Sequence, residues 1–281
     1  MTAPNMKNDA RNETAATNAG GEATAALRGV TRVFNGTLHA LGPVDLDLRK
    51  GEFFAIVGPS GCGKSTLLDI VAGLSMPTEG SVTFEGRPVA GSVPEGIGVV
   101  FQDDASFPWL TVRDNIAFGL KRAGTDAAEI ARRVDFAIDF MGLKGFADAH
   151  PSQLSGGMRQ RVCIARTLVL RPRLFLLDEP FGALDQQTRL LMGDELLRLW
   201  RETHATVLLI THSLDEAAML SDRIGVMSAR PGRFIDIVET GWPRERDSRI
   251  ASDPAFGKVT ARLWDRLRGE SMKAMEGEKA R

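Results

Sequence analysis

Two groups of residues in this chain carry chemistry by type and spacing. Gly58, Pro59, Ser60, Gly61, Cys62, Gly63, Lys64, Ser65 and Thr66 form an unbroken G-x-x-x-x-G-K-[ST] loop between an apolar run, 53–57, and a helical pattern. Glycines in such a loop let consecutive backbone N–H groups turn inward onto phosphate oxygens, and the following helix adds the positive end of its dipole. Lys64 then places a cation on the outer phosphates of a nucleotide, and Ser65 offers a hydroxyl to Mg²⁺. The second group is Asp178 and Glu179, delivered by the apolar run 174–177. Open α/β sheets place ligands at the C-terminal ends of their strands, so these carboxylates are expected beside the loop. Asp178 suits Mg²⁺ held through its water shell, and Glu179 suits a general base that polarises an attacking water.

A fold that positions these residues needs short buried strands alternating with helices. Strand-like runs lie at 27–34, 53–57, 97–100, 174–177, 207–210 and 224–227, and helical periodicity at 63–72, 127–141, 156–170 and 186–202. The alternation predicts an α/β architecture with a largely parallel sheet. Residues 102–149 carry helix and loop only, which predicts a helical subdomain inserted into the core, reaching to about residue 160. Residues 1–26, rich in Ala, Asn, Thr and Gly, are expected to form a disordered tail and lack the basic start and apolar segment of a signal peptide.

Composition narrows the function classes. The 281 residues carry 35 basic and 36 acidic side chains, a net charge of -1, which leaves no surplus to attract a nucleic acid. No apolar run approaches the roughly 18 residues of a membrane span. Cys62 and Cys163 lie too far apart in sequence for a spaced metal motif and read as reduced thiols. Cys62 fits the phosphate loop as a tolerated small residue rather than a nucleophile, although alkylating it is expected to block the loop.

Between the two groups lie Leu154, Ser155, Gly156, Gly157, Met158, Arg159 and Gln160, followed by an apolar helical run. This block resembles the signature sequence of the ATP-binding-cassette (ABC) ATPases. Gln102, after the strand at 97–100, then matches the family's Q-loop glutamine, a further Mg²⁺ contact; Asp185 matches the D-loop; His212 matches the switch histidine. The resemblance spans about residues 25–240. It implies a P-loop NTPase cassette with a RecA-like core, an antiparallel β subdomain and an inserted α-helical subdomain. It also implies ATP and Mg²⁺ as ligands, catalysis by Glu179, His212 and Gln102, and a head-to-tail homodimer. Each ATP in that dimer is closed between Lys64 of one chain and Ser155 of the other. The family stacks adenine on an aromatic upstream of the loop, commonly Tyr. This chain has no tyrosine, so Phe34 is the aligned candidate, with a core role as its alternative, and His39 the reserve.

Two stretches narrow the resemblance. The segment 101–115, with Phe107, Pro108, Trp109 and Leu110, and the segment 226–233, ending Arg230, Pro231, Gly232 and Arg233, are similar to the nitrate/sulfonate/taurine importer ATPases. That resemblance implies a peripheral subunit on the cytoplasmic face of the membrane, working with permease subunits and indirectly with a solute-binding protein. A soluble ABC ATPase of repair or translation and a non-hydrolysing regulator are the alternatives. Phe107, Trp109 and Leu110 either dock a permease helix or pack within the subdomain. Past residue 240, Phe256, Val259, Leu263, Trp264 and Leu267 share one helical face, expected to pack on the chain's own core.

Overall fold

The structure, a computed structural model, describes residues 22–279 apart from residue 104. Its centre is a six-stranded sheet in the order β10(Phe234–Glu239), β9(Arg223–Met227), β3(Phe53–Val57), β8(Thr206–Ile210), β7(Leu174–Asp178), β6(Ile97–Val100). Five of these strands run parallel and β10 closes one edge antiparallel to β9. The middle strands read as continuous apolar runs because both faces are covered. Phe53, Ala55 and Val57 of β3 face one hydrophobic cluster, shared with the inserted helices, while Phe54 and Ile56 face a second. The side-chain period of two makes one strand serve both cores.

The second cluster lies beneath a four-stranded antiparallel sheet in the order β2(Leu38–Arg49), β1(Ala23–Phe34), β4(Glu79–Phe84), β5(Arg87–Pro88). Helix α1(Lys64–Ala72) contacts strands of both sheets and buries Leu67, Leu68, Ile70 and Val71 in that cluster. The inserted helices are α2(Val112–Arg122), α3(Ala127–Phe140) and α4(Gly156–Leu168), followed later by α5(Gln186–Thr203), α6(Leu214–Leu220) and α7(Pro254–Lys279).

Two expectations need correction. The tail assigned to 1–26 ends earlier: Ala23, Ala25 and Ala26 pair with β2 or β4, and Ala25 is buried. Alanine lacks the β-branched signature of a strand, so sheet pairing overrides local preference there. Residues 1–21 of that tail lie outside the described residues. Trp264 does not share the buried face of α7: it is 56% exposed, whereas Phe256, Leu263 and Leu267 are buried and Val259 packs partly against them. Leu263 and Leu267, one turn apart, define the stripe, and Trp264 stands about 100° round the helix from Leu263. The strands β2, β4 and β10 were not legible as separate runs, because polar and apolar residues mix along them.

Candidate active site

The phosphate loop leaves the end of β3 and enters α1 through Gly63, whose φ of 109 lies in the left-handed region. A Cβ there would sit 2.7 Å from Leu41 Cδ2 and 2.9 Å from the Ala40 carbonyl oxygen, so both conformation and clearance require glycine. The loop borders an open cleft of about 360 Å³ lined by Phe34, Leu38, Ala40, Ser60, Gly61, Gly63, Lys64, Ser65, Thr66, Gln102, Glu179 and Arg230. Lys64 is buried, and its Nζ donates to the carbonyls of Gly58 and Pro59, each at 2.9 Å. Those bonds hold the ammonium inside the loop's curl.

Asp178 and Glu179 arrive where expected but in different environments. Asp178 is buried, its carboxyl accepts from Ser65, and its Oδ1 has no hydrogen-bond partner. Burial pushes its pKa above the ordinary aspartate range. The Ser65 bond and the Lys64 charge pull it back, while the Glu179 and Asp69 charges add to the rise. An orphaned carboxylate oxygen beside a hydroxyl is a donor set that suits a hard divalent cation, and Mg²⁺ takes its remaining ligands from waters and phosphates. Among the described residues no cluster of three or more His, Cys, Asp or Glu could hold a metal on its own.

Glu179 stands at the first position past the strand with a positive φ of 45, its N–H donating to the Ile210 carbonyl at 2.9 Å. For a side chain other than glycine this backbone is strained, and its effect is to turn the carboxylate into the cleft. Two donors converge on one of its oxygens: Gln102 Nε2 at 3.1 Å and His212 Nδ1 at 3.2 Å from Oε2. Behind His212, Thr211 Oγ1 donates to the buried Glu216 at 2.6 Å, and Arg189 pairs with Glu216 at 3.2 Å.

The structure gathers Phe34, most of the phosphate loop, Gln102 and Glu179 on one cleft, with Asp178 tied to it through Ser65 and His212 through Glu179. It does not bring residues 154–160 or Asp185 to that cleft. Ser155 caps α4, its Oγ accepting from the Met158 N–H at 3.3 Å, and Ser155 and Gly156 are exposed. Gln160 is buried instead and reaches the Phe101 carbonyl at 3.4 Å. Asp185 caps α5 through Thr188. His39 is exposed and off the cleft, since its strand neighbours Leu38 and Ala40 take the cleft face. Cys62 is buried, and burial pushes its thiol pKa up, which fits a small packing residue of the loop rather than a nucleophile. Phe107 is partly buried, stacks on Trp109 with centroids 5.5 Å apart, and lies 4.6 Å from Phe118, while Trp109 itself is 71% exposed. Arg230 was missed as a cleft residue. Its only trace in the sequence was the Arg-Pro-Gly segment, whose contact with the loop is remote along the chain.

A parallel sheet with a phosphate loop after β3, paired acids at the C-terminal end of β7 two strands away and an inserted helical subdomain define a nucleotide-hydrolysing cassette. Residues 41–182 match the ABC transporter family, and the chain belongs to it. It is 41% identical over 256 residues to the nitrate import ATP-binding protein of Synechocystis, covering 88% of this chain and 96% of that one. It is 48% identical over 198 residues to the taurine import ATP-binding protein of Pelagibacter ubique, covering 70% and 74%. Among solved structures, the dimeric cassette MJ0796 in a post-hydrolysis state with ADP and phosphate superposes with a TM-score of 0.70 at 32% identity. That match covers 78% of this chain and all of the other. The chain is therefore an ABC-type ATPase, a cassette that binds and hydrolyses ATP.

Proposed function

We propose that the chain powers the uptake of a small anionic or organic solute of the nitrate, sulfonate or taurine kind. In this reading two copies sit on permease subunits at the cytoplasmic face of the membrane, supplied by a solute-binding protein outside. The kinship with nitrate and taurine import subunits supports this assignment. So does the exposed Trp109, which stands on the inserted subdomain where a permease helix can reach it. Among the described residues no helix is long and apolar enough to cross a membrane.

The chemistry rests on one observation, the convergence of Gln102 and His212 on Oε2 of Glu179. With that oxygen occupied, Oε1 is the acceptor left for a water. As the water oxygen bonds to the γ-phosphorus and the bond to the β-bridging oxygen breaks, the water's proton passes to Glu179 and ADP departs. Gln102 and His212 fix the carboxylate's direction, Lys64 and the loop N–H groups hold the phosphate oxygens, and Phe34 offers its ring to adenine. Ser65 and Asp178 would hold Mg²⁺, with Gln102 a further candidate ligand, and the ion would neutralise charge on the β- and γ-phosphates.

Glu179→Gln keeps the shape and removes the base. ATP turnover should fall roughly 10²–10⁴-fold with ATP affinity retained. Turnover within threefold of the parent would remove Glu179 from this role. Co-purification of a membrane permease with the tagged chain tests the importer assignment, and its consistent absence from detergent extracts of the native host would favour a soluble role.

A further inference from the structure

The loop between β9 and β10, together with Met227 at the end of β9, is built against the phosphate loop at three points. Arg230 donates to the Gly61 carbonyl from Nε at 3.0 Å and from Nη2 at 2.7 Å. Gly232 packs so closely on the loop that a Cβ there would lie 2.1 Å from the Cys62 carbonyl oxygen. Met227 lies under Gly58, where an added Cβ would come within 3.0 Å of the Met227 Cβ. The Gly232 N–H donates to Ala40 and its carbonyl accepts from Gly42, which ties the same loop to β2. From the other side, Glu270 of α7 accepts from the Ala229 N–H at 2.8 Å, and Lys273 holds the second Glu270 oxygen at 2.6 Å.

From this arrangement we infer that Arg230 is a nucleotide-binding residue, a second cation of the phosphate site, held in place by the C-terminal helix through Glu270. The inference rests on the cleft being the ATP site. Arg230 lines that cleft with Lys64, Ser60 and Gly61. Its fork on a single carbonyl uses Nε and Nη2, and no partner within the described residues engages Nη1. Lys64 is buried in the loop's curl, so it answers the phosphates from inside. Arg230 is exposed at the mouth and adds charge from outside. Guanidinium is suited to this double task, because it stays charged and presents several donors in a fixed plane, one edge for the carbonyl and one for a phosphate oxygen. The two loop bonds also brace Gly61 in its left-handed conformation, φ 69.

The test separates charge from bracing. Arg230→Lys keeps the charge, Arg230→Gln keeps a donor for Gly61 without charge, and Arg230→Ala removes both. Titration calorimetry with MgADP across 50–500 mM salt reads affinity and its ionic-strength dependence, with thermal melting as a folding check. Gln and Ala should weaken MgADP about three- to tenfold at low salt and flatten the salt dependence, and Lys should stay within about twofold. Glu270→Ala, outside the cleft, should weaken binding about two- to threefold with the salt dependence kept, because the cation remains but its anchor loosens. Parent-like affinity in Arg230→Gln, or an unchanged salt slope in Arg230→Ala, overturns the inference. Lys64→Ala in the same titration guards the underlying reading. If it still binds MgADP like the parent, the cleft assignment is wrong; if it fails to bind while Arg230→Ala binds normally, only the role of Arg230 is wrong.

Discussion

Glu216 shows how one buried side chain can report on the catalytic wall. It lies behind His212 with Thr211 bonded to one oxygen and Arg189 paired to the other, yet burial outweighs both and raises its pKa above 4.5. The native state therefore holds this proton more tightly than the unfolded chain does. Its stabilising contribution is fully present below the unfolded value of about 4.5 and is lost as pH rises through the raised folded value. Glu216→Gln keeps the acceptor for Thr211 and abolishes the titration. The stability of the parent relative to this variant should therefore decrease from pH 4.5 toward neutrality, as read by urea denaturation at several pH values. A difference that stays constant with pH would mean that Glu216 does not titrate in that window. The sequence offered no route to this residue. An acid in the first turn of a helix reads as an ordinary dipole partner, and only the packing of α6 against β3 shows that it is buried.

The elements differ in how far their sequences exposed them, and the reason is burial. β3, β7 and β8 are covered on both faces, so their apolar runs stand out. The phosphate loop and the paired acids could be placed because they follow such strands directly. β1, β2 and β4 bury one face, with bulges that break the alternation, and only the last part of β1 was readable. Helix α7 is the instructive middle case: its stripe was legible, but one member was misassigned because a Trp three residues before Leu267 looks apolar from any angle. The structure makes this a paired prediction. Leu263 is fully buried against the core, so Leu263→Ala should cost about 2–5 kcal/mol. Trp264→Ala, on the exposed side, should stay within about 0.5 kcal/mol of the parent. Equal effects of the two changes in denaturant titrations would mean that α7 sits rotated from the orientation described.

At the scale of the whole molecule, the proposed function calls for two copies of the chain. The cleft that carries Lys64 and Glu179 is open, while Ser155 and Gly156 present an exposed helix N-terminus away from it. A second copy turned head to tail would close each cleft with the other's α4, so that ATP joins the dimer and hydrolysis frees it. Gly156 allows a clean test. An added Cβ there meets nothing nearer than Arg159 Nη2 at 3.8 Å, whereas at Gly157 it would strike Leu184 at 2.6 Å. Gly156→Asp should therefore fold normally, and its carboxylate even suits the start of α4. In a dimer, however, it would set a negative charge against the partner's γ-phosphate. In the Glu179→Gln background, MgATP should drive the parent to twice its monomer mass in analytical ultracentrifugation, and Gly156→Asp should hold it at the monomer mass. ADP binding to the monomer should remain within twofold, because the altered residue lies off the chain's own cleft. An ATP-dependent dimer that survives Gly156→Asp would show that α4 does not close the partner's site, and the half-site account of residues 154–160 would fail with it.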